Sequence, residues 1–153
     1  MITYRKATIN DIDDLVRTRI EFIKEVQNLE TDFDLSSLKE SLCNYFTNTI
    51  GENAFIAWLA LDNNRIVATS GLCFYTLPPS YKNLSGKVAY IMNMYTVREY
   101  RNQGIAAHLF QRVIEEARGL GYKKISLHAT ESGKPLYTRF GFKEKDDEMV
   151  LNL

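Results

Sequence analysis

Val97-Arg98-Glu99-Tyr100-Arg101-Asn102-Gln103-Gly104-Ile105-Ala106-Ala107-His108-Leu109-Phe110 is the stretch on which the reading of this chain turns. Upstream of it, Tyr90 to Val97 is an apolar run short enough to be a buried strand. Downstream, Ile105, Leu109, Val113 and Ala117 recur at helical spacing, with Phe110 and Ile114 beside them. The stretch is therefore a strand-to-helix turn with two basic side chains, Arg98 and Arg101, and a glycine, Gly104, at the helix start. The first turn of a helix has backbone N–H groups without partners, and the helix dipole adds partial positive charge there. Gly104 has no Cβ, so a phosphate could approach the backbone closely, and Ala106 keeps the next approach point small. Taken alone, these features fit an anion site and a plain tight turn equally well.

The spacing separates the two. Arg101-Asn102-Gln103-Gly104-Ile105-Ala106 follows the pattern Arg/Gln-x-x-Gly-x-Gly/Ala, and in this it resembles the acetyl-coenzyme A pyrophosphate loop of the GNAT superfamily of N-acetyltransferases. Downstream, Leu136-Tyr137-Thr138-Arg139-Phe140-Gly141-Phe142 is similar to that family's Leu-Tyr-x-x-x-Gly-Phe segment. The resemblance is sharp over residues 88–142 and looser elsewhere.

Outward from the turn, residues 2–7 read as a short strand. Thr8 or Asn10 can cap a helix with Asp11, Asp13 and Asp14 in its first turn and Ile12, Leu15, Val16, Ile20, Ile23 and Val26 on its apolar face. A polar break covers 28–34. A second helix is expected from Ser36 or Ser37 to about Thr49, with Leu38, Leu42, Tyr45 and Phe46 inward and Gly51 ending it. Phe55–Leu61 and Ile66–Leu77 form a hairpin around Asp62-Asn63-Asn64, and Pro78-Pro79 stops it before a polar loop. The strand over 88–97, the helix over 104–119, a strand over 124–130, a short helix over 133–140 and a last strand carrying Met149, Leu151 and Leu153 complete the order. The fold class is α/β (α+β). The resemblance implies a mixed, mainly antiparallel central sheet with helices on both faces, a bulge in the 88–97 strand and a splay between it and the 124–130 strand. A splay leaves backbone groups unpaired, and the diamide arm of pantetheine can satisfy them.

At 153 residues the chain reads as one domain spanning 1–153. Lys plus Arg equal Asp plus Glu at 19 each, so there is no basic excess for general nucleic-acid binding. No apolar run approaches a membrane span, and Met1 to Lys6 lacks the apolar core of a signal peptide. Cys43 and Cys73 have no metal or redox spacing and read as buried thiols, so no metal is expected and a reducing cytoplasm fits.

Site residues follow from the resemblance. It assigns the pyrophosphate to the amides of Asn102, Gln103, Gly104, Ile105, Ala106 and Ala107, with long-range attraction from Arg98 and Arg101. The pantetheine arm would run along Tyr95, Thr96 and Val97 through main-chain groups. Thr130 stands where many relatives carry an asparagine that contacts the arm. Acyl transfer from a thioester to an amine needs a neutral amine, a polarised carbonyl and a protonated leaving thiolate. The Tyr95 backbone N–H is the expected oxyanion donor, and Tyr137 matches the tyrosine placed to protonate the thiolate. A phenol near pKa 10 gives its proton to a thiolate whose acid sits near about 8.5 only with help from position and burial. Some relatives place a glutamate base on the strand equivalent to 88–97, but Ala89-Tyr90-Ile91-Met92-Asn93-Met94-Tyr95 has no carboxylate. Glu21, Glu25 or a water held by Asn93 could serve, while His108 and His128 read as structural or surface residues. Tyr75, Tyr81, Tyr90, Met92 and Met94 are expected to wall the acceptor cleft.

These assignments amount to an acetyl-coenzyme A-dependent N-acetyltransferase acting on a primary amine, most simply of a small molecule, in a ternary complex. The alternatives are a non-catalytic acyl-coenzyme A sensor, acetylation of a protein N-terminus or lysine, and a site for another nucleotide. The resemblance allows a homodimer, which no feature of the sequence decides.

Overall fold

A computed structural model of the chain describes residues 1–28, 34–145 and 147–153. In order they form β1 (Ile2–Lys6), a 3-10 turn (Ile9–Asp11), α1 (Ile12–Gln27), α2 (Ser36–Gly51), β2 (Phe55–Asp62), β3 (Arg65–Thr76), β4 (Lys87–Thr96), a 3-10 turn (Arg98–Tyr100), α3 (Ile105–Gly119), β5 (Ile125–Leu127) and α4 (Lys134–Arg139). The sheet order is β1-β2-β3-β4-β5. Its first three pairings are antiparallel and β4–β5 is parallel, the mixed, mainly antiparallel arrangement expected.

Alternation along β2 explains the layers. Phe55, Ala57, Leu59 and Leu61 face α1 and α2, where they meet Leu15, Val16, Ile20 and Phe46. Trp58 and Ala60 face the other way, towards α3. There Leu109, Phe110, Val113 and Ala117 are fully buried, each large apolar side chain contributing roughly 1.5–3 kcal/mol relative to exposure. Helices thus cover both faces.

The entry to α1 is held tightly. The Thr8 hydroxyl accepts the Asn10 N–H at 3.3 Å, and the Asp11 carboxylate accepts the Thr8 N–H at 2.8 Å, a reciprocal cap. Arg5 donates two hydrogen bonds to Asp11, at 2.8 Å each. Asn28 ends α1 in the left-handed region, φ 49°. Of the polar break expected over 28–34, residues 29–33 lie outside the described residues.

Two strand expectations change. Residues 149–153 form no strand. Met149, Leu151 and Leu153 stand 96%, 82% and 114% exposed. Their alternation signals a strand only if a partner lies alongside, and none does among the described residues. The strand expected over 124–130 shrinks to Ile125–Leu127, because the chain then turns through Thr130, whose carbonyl accepts the Gly133 and Lys134 amides on the way into α4. Cys43 is exposed on α2 and Cys73 half-buried beside Tyr45, so only the second approaches the buried thiol expected.

Candidate active site

The site begins at a fault in the sheet. Thr69 pairs with Tyr95 and Gly71 with Met92, so β4 carries one residue more than β3 between them. That is the expected bulge, centred on Asn93 at φ 55°. Asparagine tolerates this conformation better than most residues. On the other flank of β4, pairing with β5 ends at Ile91 opposite Leu127 while β4 runs on to Thr96. The two strands therefore part, and β4 keeps an open flank.

The direction of each peptide on that flank follows from its partners. The Asn93 carbonyl accepts the Thr69 hydroxyl at 2.9 Å, and among the described residues no peptide bond is cis. In a planar trans peptide C=O and N–H point oppositely, so the Met94 N–H points away from β3 into the opening. One step on, the Val97 N–H donates to the Val67 carbonyl of β3 at 2.9 Å. Thr96 thus faces the opening, and its carbonyl accepts Arg101 Nε at 2.9 Å. Antiparallel alternation turns the Tyr95 N–H and C=O into the sheet against Thr69.

At the far end of the flank lies the turn into α3. Asn102 (φ 61°) and Gly104 (φ 79°) are both left-handed, which curls the chain so that successive amides face one side. The first helical bond is from the His108 N–H to the Gly104 carbonyl, at 3.1 Å. The amides of Asn102, Gln103, Gly104, Ile105, Ala106 and Ala107 have no backbone acceptor among the described residues. A methyl built on Gly104 would meet nothing within 4 Å, so the space over it is open.

Arg101 is tied elsewhere. Its guanidinium donates to both Glu25 oxygens at 2.7 Å, joining α1 to the end of β4. That bond holds the Glu25 carboxyl below its ordinary range. Glu21 receives Arg17 at 3.4 Å and lines a separate cavity between α1 and α2. Neither glutamate lines the cleft at the bulge.

That cleft, about 290 Å³, is lined by Arg19, Phe22, Tyr90, Met92, Asn93, Met94, His128, Thr130 and Tyr137 among others. Tyr75 and Tyr81, expected in its wall, are exposed away from it, while Tyr90, Met92 and Met94 do line it. Asn93 is 4% exposed, and its amide nitrogen and oxygen are both buried without partners. Tyr137 is buried against Phe110 and Phe142, and burial pushes its phenol up. Thr130 accepts the Gly133 N–H at 3.2 Å, which occupies part of the hydroxyl expected to face the cofactor arm.

The sequence reading missed one feature. The Tyr90 hydroxyl bonds His128 Nδ1, and His128 Nε2 bonds Glu148. His128 follows β5 directly and is exposed, as a surface residue would be, but it also lines the cleft. A lone histidine on a strand gave no signal, because its partners lie 38 and 20 residues away. Burial raises the Tyr90 phenol.

Among the described residues no group of three His, Cys, Asp or Glu could hold a metal, and no helix is long and apolar enough to cross a membrane.

Comparison with known proteins agrees with this architecture. The chain is 36% identical to a predicted acetyltransferase from Clostridium acetobutylicum solved with acetyl-CoA, with TM-score 0.91 over 99% of this chain and 96% of that one. It is 25% identical to a GCN5-related N-acetyltransferase from Ralstonia eutropha, TM-score 0.89, over 100% and 99% of the two chains. It is 27% identical over 111 residues to human N-acetyltransferase 8B, a match covering 71% of this chain and 47% of that protein's length. The model of the acetyltransferase (GNAT) family matches residues 21–142, from the middle of α1 through the site to Phe142, and the chain belongs to that family.

Proposed function

We propose that this protein is an acetyl-CoA-dependent N-acetyltransferase that modifies a primary amine of a small molecule by direct attack within a ternary complex. The observation that carries this reading is the continuity of the open β4 flank, which leads from the free amides of 102–107 to a cleft shared by Asn93 and Tyr137. The groups present suit the donor: unpartnered amides for a diphosphate, and the Met94 and Thr96 main-chain groups for a diamide arm. The acetyl-CoA reported with the Clostridium relative supports the choice of donor.

When bound, acetyl-CoA supplies the acetyl group as a thioester. The Asn102–Ala107 amides hold its diphosphate, with Arg98 adding attraction. Arg101 acts by bracing the turn against Glu25 rather than by touching phosphate. The oxyanion role expected of the Tyr95 N–H moves to the Met94 N–H, the amide that faces the opening. Tyr137 delivers its phenolic proton to the departing sulfur. The Tyr90–His128–Glu148 chain takes the proton from the attacking nitrogen. With His128 Nε2–H donated to Glu148, Nδ1 accepts the Tyr90 proton as Tyr90 oxygen receives that of the amine, in the manner of a His–carboxylate pair. The N–C bond forms, the C–S bond breaks, and solvent returns the proton to Tyr137. This base answers the lack of a β4 carboxylate, which would otherwise favour a non-catalytic sensor. The size of the cleft favours a compact acceptor over a protein chain.

The test is release of coenzyme A thiol with a panel of primary amines, both substrates varied. Intersecting initial-rate patterns are expected, and parallel ones would point to an acyl-enzyme instead. His128→Gln should lower kcat by about 10²-fold or more, within the range for a lost acid–base group. The His128 and Glu148 side chains are 65% and 59% exposed, so thermal stability should barely change. Unchanged kcat in that variant would remove His128 from the mechanism.

A further inference from the structure

Arg19 is a cation in the cleft that the mechanism leaves unused. It projects from α1 into the acceptor cleft, one turn before Phe22, whose ring lies 5.3 Å from the guanidinium carbon. Arg5, Arg17 and Arg101 each pair with a carboxylate. Arg19 has no hydrogen bond or ion pair to a carboxylate among the described residues. Its polar neighbours are the phenols of Tyr90 and Tyr45, and burial lowers its pKa from the ordinary arginine value. A half-buried guanidinium without a counter-charge is costly. On an open surface water would solvate it, but here it lines a cleft. Asn93 lines the same cleft with both side-chain amide atoms buried and unpartnered. Two independent polar residues therefore border the space the acceptor would occupy.

We infer that the acceptor is an amine that also carries an anionic group, carboxylate or phosphate, which Arg19 binds while Asn93 and Tyr90 orient the amine. The inference rests on the acetyltransferase reading above. The planar fork of arginine matches the two oxygens of either anion. The guanidinium lies over the Phe22 ring, which holds it by a cation–π contact. A cleft of about 290 Å³ shared by Arg19, Asn93 and Tyr90 calls for a compact zwitterion rather than a polyamine.

The experiment compares matched pairs that differ only in the anion: glycine and β-alanine against their amides, and 2-aminoethyl phosphate against ethanolamine. Thiol release is measured for the wild type, Arg19→Met and Arg19→Lys. In the wild type, kcat/KM should favour the anionic member of at least one pair by tenfold or more. The carboxylate and phosphate arms tell which anion is meant. Arg19→Met should bring that ratio near one through the KM of the amine, with the KM of acetyl-CoA unchanged, and Arg19→Lys should restore part of it. Equal use of both members by the wild type, or a preference that survives in Arg19→Met, overturns the proposal. So does a rise in the KM of acetyl-CoA alone, which would assign Arg19 to the donor. A second readout needs no turnover: thermal stabilisation by the same pairs in the presence of coenzyme A. Anion-selective stabilisation lost in Arg19→Met, without thiol release, would keep the anion site while refuting the acetyltransferase. No selectivity in either readout refutes the anion site alone if thiol is released.

Discussion

Gly133 controls where the Tyr137 hydroxyl sits. A Cβ at Gly133 would come within 2.7 Å of Tyr137 Cε2 and 3.0 Å of its hydroxyl oxygen. Its φ is −84°, so alanine is not strained by backbone conformation. Gly133→Ala should therefore displace the ring rather than the loop. If Tyr137 is the acid, kcat should fall on the order of tenfold to 10²-fold, the cost of displacing a reacting group by about 1 Å. The dissociation constant of acetyl-CoA, measured by titration, should stay within about twofold. Undiminished kcat would mean that the hydroxyl position does not matter to the reaction. Some of this residue-level detail was legible in the sequence. Tyr137 and the 102–107 amides follow from local motifs, since a motif is a run of neighbours. The pairing of Arg101 with a carboxylate 76 residues away on α1 had no local signal. The place of His128 and Arg19 in the cleft had no local signal for the same reason: their neighbours are brought close only in the folded chain.

The elements were more legible than the contacts between them. The 3.6-residue pattern of α3 and the β2–β3 turn signal are local, and both formed as expected. The tail at 149–153 failed because alternation reports a compatible strand, not a partner. One element carries a prediction of its own. The start of α1 depends on Asp11, whose side chain is 9% exposed and whose carboxyl Arg5 holds down to about 2, against an ordinary 3.8. A carboxylate whose folded pKa is depressed contributes stability that is fully present above its unfolded pKa. That stability is lost as pH falls from near 4 towards 2. At about 1.4 kcal/mol per unit the contribution is about 2 kcal/mol. Asp11→Asn should lower the melting temperature at pH 7 by roughly 4–8 °C, at about 2–4 °C per kcal/mol. The gap from the wild type should close between pH 4 and pH 2, as followed by circular dichroism melts. A gap independent of pH would show that the shape of the cap matters and its charge does not.

At the scale of the whole molecule, the sheet divides the chain into a face that α1 and α2 cover and a face that α3 and α4 cover, and the β4 bulge opens a passage at its edge. The two halves of the donor would be gripped by different parts of this frame. Its diphosphate would meet the amides at the start of α3, and its arm the main chain of β4. A ligand that engages both must stabilise the fold more than one that engages only the first. Coenzyme A at 100 times its dissociation constant adds about 2.7 kcal/mol, or roughly 5–10 °C for a chain of this length. Adenosine 3′-phosphate 5′-diphosphate, which keeps the nucleotide and diphosphate but lacks the arm, should give a clearly smaller shift at equal concentration. ATP and NAD, with the wrong phosphate pattern, should give less again. The ordering follows from peptide directions: the Met94 and Thr96 N–H groups face the opening and find acceptors there only when an amide-bearing chain lies along them, while the Thr96 carbonyl is already held by Arg101. Equal shifts from coenzyme A and the armless nucleotide would mean that β4 contributes nothing to binding. The bulge at Asn93 would then be a feature of the fold alone, and the acceptor cleft beside it would lose its link to the donor.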